Sequence, residues 1–130
     1  MDEHLMKHGM ISWSELMTSD LGAARQFYAR LFGWELAQAP MENNMEYTIA
    51  TAHGRQIAGM MTTPSGAEGV PPCWGIYVTV DDVDDTARKA QELGGKICMP
   101  PSDIPGVGRF CVIQDPQGAY ISAISSPKPQ

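Results

Sequence analysis

Residues 17–36, MTSDLGAARQFYARLFGWEL, hold a strand end, a capping turn, a helix and its stop in one short run. Ser19 and Asp20 are both N-cap residue types. Leu21, Ala24, Phe27, Tyr28, Leu31 and Phe32 recur at helical spacing, so one stripe faces a core. Gly33 stands where a left-handed glycine ends a helix. The stretch then recurs. Slid along itself by 62 residues, the chain sets Asp20 on Asp82, Leu31 on Leu93 and Gly33 on Gly95, and aligns Leu16 with Val78 and Leu21 with Val83. Residues 78–97, VTVDDVDDTARKAQELGGKI, repeat the same order of elements. Internal repetition decides a fold more than any local pattern does. A doubled unit has a pseudo-twofold axis, and the cleft between its halves is a natural ligand site.

Outward from these stretches the elements fall into place. Residues 10–18 alternate as a strand, with Trp13 and Glu15 on one face and Leu16 and Thr18 on the other. Residues 33–39, 45–52 and 55–62 read as strands, broken at Pro40–Asn44 and at the glycine-bearing turn His53-Gly54. TTPSGAEGVP, residues 63–72, is a Pro/Gly/Ser-rich linker. Residues 73–80 form a strand with Gly75, Tyr77 and Thr79 on one face. Asp81 or Asp82 caps a helix striped by Val83, Ala87, Ala90 and Leu93, which Gly94-Gly95 stops. A short strand at 96–99 ends at Pro100-Pro101, and 102–108 is a loop. Strands at 109–114 and 119–124 flank the turn Asp115–Gly118, and the tail frays. Each half is βαβββ and the class is α+β, as one domain over 1–130: module one about 9–63, the linker about 63–72, and module two about 73–125.

Composition narrows the function classes. The chain has 130 residues, 43% of them hydrophobic, enough to bury a core as one domain. No run nears the roughly 20 apolar residues of a membrane span. MDEHLMKHGM has no apolar signal core, which points away from secretion. A net charge of -6 without a Lys/Arg block makes nucleic acid and anionic membrane poor partners. Cys73, Cys98 and Cys111 form no CxxC pattern; an odd count without a signal fits reduced thiols in the cytoplasm, each expected to be a buried structural residue.

Residues 17–36 resemble the first-module signature of the vicinal oxygen chelate superfamily, which includes glyoxalase I, bleomycin-resistance proteins and extradiol dioxygenases. Residues 78–97 resemble its second-module signature, and IPGVGRFCVIQDPQGAYISAI, residues 104–124, its closing hairpin. The resemblance covers nearly all of the chain after residue 9. It implies two tandem βαβββ modules forming a curved mixed sheet around a cleft, with the helices on the outer side. In metal-using members, His and Glu on the first and fourth strands of each module converge on one divalent ion. The matching positions here are Trp13, seven residues before Asp20, its repeat twin Gly75, Ser122, four residues after Gly118, and its twin Met60. Trp and Gly side chains cannot ligate, and Met and Ser suit such a site poorly. All four depart from the pattern. No HxH, HxxxH or HExxH occurs, and Glu15 alone does not make a metal site. The chain is therefore expected to hold no metal and no cofactor.

Strand parity and the resemblance together select Trp13, Glu15, Tyr47, Met60, Tyr77, Tyr120 and Ser122 as cleft residues. Arg109, after PGVG, is either a solvated strand-end arginine or an anion binder. Trp34 and Trp74 are expected to support the core. Glu15 has three readings: a carboxylate satisfied by Arg55, Arg109 or water, a ligand-binding group, or a general base whose pKa is raised in an apolar cleft. It is the sole candidate for catalysis. Two function classes remain. One is a metal-free protein that binds a small organic molecule, resembling the bleomycin-resistance branch. The other is an enzyme of the lyase, isomerase or dioxygenase kind with an altered site. A homodimer is expected, because open strand edges and apolar Met60-Met61, Val70–Pro72 and Met99–Pro101 need cover, and members of the resembled families commonly pair.

Overall fold

The fold is that of a computed structural model, described over residues 3–39, 46–63, 71–104 and 108–126. Most of the expected linker, the Pro40–Asn44 break, the center of the 102–108 loop and the end of the tail lie outside the described residues. Among the described residues a short 3-10 helix (Glu3–Met6), two α-helices and eight strands give the expected α+β class and the expected βαβββ order, twice over. The chain divides into two compact units, residues 13–75 and residues 1–12 with 76–130.

In the first unit, β1 (Ile11–Thr18) leads to α1 (Leu21–Phe32), then β2 (Glu35–Ala39), β3 (Tyr47–Ala52) and β4 (Arg55–Thr62), laddered in the order β2-β3-β4-β1. Asp20 is the N-cap; its carboxylate accepts from the Ala23 amide at 3.0 Å. Gly33 stops the helix at φ 72, its amide bonded to the Ala29 carbonyl. His53 (φ 50) and Gly54 (φ 76) make a hairpin turn in which both residues need positive φ. β1 runs parallel to β4, pairing Glu15 with Gly59 and Leu16 with Met60. Leu16, Leu21, Ala50, Ala58 and Met60 form the buried core beneath α1, with Ala24, Tyr28 and Trp34 packed on it.

The second unit takes up β5 (Cys73–Thr79) from residue 76 and adds α2 (Val83–Glu92), β6 (Lys96–Ile104), β7 (Gly108–Gln114) and β8 (Tyr120–Ser125), with the strands laddered β5-β8-β7-β6. Asp82, the repeat twin of Asp20, caps α2 by accepting from the Asp85 amide at 3.2 Å. Val80, Val83, Ala87, Cys111 and Ala123 form its core. The N-terminal arm joins this unit: the Gly9 amide donates to the Thr79 carbonyl, the Thr79 hydroxyl to the Leu5 carbonyl, and the Asp81 amide to His8 Nδ1. The Asp115 carboxylate accepts from the amides of Gln117 and Ala119, closing the β7–β8 turn.

Two expectations are corrected here. The short strand at 96–99 does not end at the prolines; β6 runs through Pro100-Pro101 to Ile104. It can do so because it is the last strand of its ladder, and its register against β7 shifts between Met99 and Ser102, where the prolines sit. Proline is tolerated at edges and bulges, where no ladder donor is lost. Of the cysteines only Cys111 is buried; Cys73 and Cys98 are exposed. Cys73 is the first residue of β5, and Cys98 lies in β6, the last strand of its ladder.

Candidate functional site

Glu15 lies on the face of the first unit's ladder that points away from α1. Leu16 points into the core under α1, so its neighbor Glu15 points to the opposite face of the ladder. It is only 7% exposed. A carboxylate taken this far from water needs donors, and Tyr47 supplies one: its phenol is hydrogen-bonded to Glu15. The Tyr47 hydroxyl oxygen in turn accepts from Trp13 Nε1 at 2.9 Å. Burial, and next the Glu15 charge, push the Tyr47 phenol well above its ordinary pKa of 10.0, while the Trp13 bond works the other way. Tyr47 therefore keeps its proton at neutral pH and can donate it to the carboxylate. Of the readings of Glu15, the partner found is a tyrosine of its own ladder.

Gly59 makes this arrangement possible, and the residue patterns did not single it out. It lies opposite Glu15 in β4 and opposite Ile49 in β3, and the Tyr47 ring lies across it. A Cβ at this position would collide with the Tyr47 hydroxyl. A glycine inside a strand, away from any turn, is the signal that could have found it, since it marks a close approach.

Two expected site residues face the other way. Met60 is fully buried in the core with Leu16, Ala50 and Ala58. It does not line the open face. The parallel registers show why: Glu15 pairs with Gly59, but its repeat twin Tyr77 pairs with Ser122. The repeat therefore slips by one residue before its last strand, and a slip of one moves a side chain to the opposite face. Gly59, not Met60, is the counterpart of Ser122. Arg109 is likewise no open anion binder. Its Nε and Nη2 reach both oxygens of Asp84 at 2.9 and 3.0 Å, and Nη1 lies 3.1 Å from Asp103. Such a fork ties β7 to the first turn of α2.

The other expected residues lie in the second unit on the strand face away from its core. Tyr77 sits opposite Ser122, is 7% exposed, and has its ring 6.5 Å from that of Phe110. Tyr120, two residues before Ser122 on β8, shares its face and is largely exposed. Trp34 packs on the first core as expected. Trp74 stands at its margin, 39% exposed, donating to the Tyr28 hydroxyl at 3.0 Å. The metal positions of the resembled pattern become Trp13, Gly59, Gly75 and Ser122, a set still poorer in ligands. Among the described residues no three His, Cys, Asp or Glu side chains are grouped to hold a metal ion. The residues present do not fit the ion that such folds use. Among the described residues no helix is long and apolar enough to cross a membrane.

A doubled βαβββ unit is the architecture of one broad class, and the comparisons agree. The family model of the Glyoxalase/Bleomycin resistance protein/Dioxygenase superfamily matches residues 5–122. The chain belongs to that superfamily. It is 40% identical over 117 residues to "Putative glyoxylase CFP32" of Mycobacterium tuberculosis, covering 88% of this chain and 45% of the relative. It is 30% identical over 123 residues to "Anthracycline biosynthesis protein DnrV" of Streptomyces peucetius, covering 85% and 45%. The chain thus spans less than half the length of these relatives. Methylmalonyl-CoA epimerase from Mycobacterium tuberculosis shares the fold, with a TM-score of 0.63 at 16% identity over 97% of this chain and 95% of that one.

Proposed function

We propose that this chain binds a small organic molecule on the open face of its first ladder, with no metal held by its own side chains. The observation that carries the proposal is the buried Glu15 carboxylate, oriented by Tyr47 and, through it, by Trp13. A buried charge is costly to keep in a fold, and a carboxylate oriented by its neighbors can also accept from a ligand's donor. Glu15 takes a hydroxyl or ammonium donor of the ligand, and the Trp13 indole supplies a flat apolar wall. On the same parity argument Tyr77, Tyr120 and Ser122 are separate candidates for ligand contact on the second module's own ladder. The name of the Streptomyces relative suggests a hydroxylated polycyclic aromatic as the class to try first.

The second reading is an enzyme in which Glu15 is a general base. It is favored by the carboxylate's burial, which suits proton abstraction. The two readings separate in one pair of assays. Binding of a hydroxyanthraquinone probe is followed by tryptophan fluorescence in the wild type, Glu15→Gln and Tyr47→Phe. Hydrogen bonds to a charged group contribute about 1.5–3 kcal/mol, so Glu15→Gln weakens binding roughly 10- to 100-fold. Equal affinity in all three proteins contradicts the proposal. Turnover of a dicarbonyl–glutathione adduct, lost in Glu15→Gln, establishes the enzyme reading instead.

A further inference from the structure

The outward faces of α1 and α2 differ in kind, although the helices hold the same place in the repeat. At the 62-residue offset Asp20, Phe27 and Tyr28 stand where the second module has Asp82, Lys89 and Ala90. The α2 face is a solvated one and carries an Arg88–Asp85 ion pair. Both modules keep the capping carboxylate, but on α1 aromatic rings stand near it. Phe27 is 58% exposed and Trp74 39%, and the Tyr28 ring meets both. Capping alone does not explain these rings, since Asp82 caps α2 without them. Single exposed apolar side chains need no explanation, but a contiguous patch marks an interaction surface. Here the rings border a hollow of about 380 Å³, formed by residues of the first unit alone. Small-molecule pockets span roughly 300–1,000 Å³.

We propose that this hollow binds a compact organic cation of the methylated ammonium class. Electron-rich ring faces attract such a cation, and aromatic cages are its usual receptors. Phe27 and Trp74 each stand nearly perpendicular to Tyr28, at 89° and 84°, with ring centroids 5.0 and 5.4 Å from its own. Perpendicular walls suit a near-spherical group, which touches several rings at once. A flat aromatic would lie on one of them. The charge of the occupant follows from the remaining walls. Among the described residues lining the hollow, Asp20 is the one charged side chain, and Thr18 and Cys73 are neutral. One Asp20 oxygen accepts from the Ala23 amide, and the other has no partner among the described residues. A helix N-terminus draws anions, but at α1 the Asp20 carboxylate already holds that place. The Trp74 indole N–H is taken by the Tyr28 hydroxyl, so it offers an anion nothing. A net charge of -6 favors a cation at longer range as well.

The hollow lies on the α1 side of the ladder and Glu15 on the other, so this inference and the ligand proposal fail separately. The probe is choline, compared with its neutral isostere, in which carbon replaces the ammonium nitrogen. Each is titrated into the isotope-labeled full chain at constant ionic strength, and the indole N–H resonances of Trp13 and Trp74 are followed by NMR. Choline should shift the Trp74 resonance with a millimolar Kd and leave Trp13 in place. The neutral isostere should bind about tenfold more weakly, since it loses both the charge pair and the ring contacts. Asp20→Asn keeps an N-cap of equal quality. It should weaken choline about fivefold, as loss of one charge pair at close range in water does. Phe27→Leu, a change at an exposed position, should weaken it about two- to fivefold, as loss of one cation–ring contact does. A Trp74 resonance unmoved at about 100 mM choline, far above a millimolar Kd, overturns the proposal. So does an isostere that binds as well as choline, or undiminished affinity in either variant. A shift at Trp13 in place of Trp74 also overturns it, and moves the cation to the Glu15 face.

Discussion

At the scale of single residues, the chemistry gathers at Glu15. Its carboxylate, the Tyr47 phenol, the Trp13 indole and the bare backbone of Gly59 form one unit, in which each member is explained by the next. The pH dependence has a definite sign. Folding raises the Tyr47 pKa, so the folded chain holds that proton more tightly than the unfolded chain does. The resulting stabilization is fully present below pH 10 and is lost as the pH rises from there toward the folded value. Tyr47→Phe removes a donor from a buried carboxylate and should cost about 1–3 kcal/mol at neutral pH. The deficit should narrow above pH 10, because there the wild type loses what the variant never had. Urea titrations of both proteins at several pH values measure this, and a deficit that stays constant into strong alkali would contradict it.

At the scale of elements, the lesson lies in where the repeat keeps its phase. Asp20 and Asp82 cap their helices as the spacing predicts, and His53-Gly54 makes the turn its residues call for. Local chemistry decides those positions, so they are legible in the residues alone. Trp13 and Glu15 share a face for the same reason, since a strand's period is exact. Met60 was not legible. Its placement depended on a constant repeat length across several strands, and bulges break that constancy: β3 and β4 shift register after Ala50, and β6 shifts twice against β7. A bulge leaves little trace in composition. The Tyr47–Glu15 bond was equally hidden, because cross-strand partners follow from register and not from spacing along the chain. Arg109 had two open readings, and only the fold brings Asp84 and Asp103 to it. The corrected place of Met60 makes a prediction. A fully buried core methionine cut to alanine costs about 2–5 kcal/mol. Met60→Ala should show that loss in chemical denaturation while leaving probe affinity within twofold or so of the wild type once folded, about 0.4 kcal/mol. A stable Met60→Ala variant that has lost the probe would return Met60 to the open face.

At the scale of the molecule, a doubled unit has let its halves diverge. One helix face became solvated and the other apolar, and the positions that carry metal ligands in the resembled pattern hold Trp13, Gly59, Gly75 and Ser122. What remains at the open face of the first ladder is one oriented carboxylate among aromatic groups. Membership of the Glyoxalase/Bleomycin resistance protein/Dioxygenase superfamily fixes the frame, and the chemistry follows from the side chains the frame now carries. The most direct test of this account is native mass spectrometry of the protein purified without chelator, in the wild type and in Glu15→Gln. The account predicts a noncovalent organic adduct that survives dialysis against EDTA in the wild type and is diminished in Glu15→Gln. A stoichiometric transition-metal ion on the wild type, removed by EDTA, would contradict it.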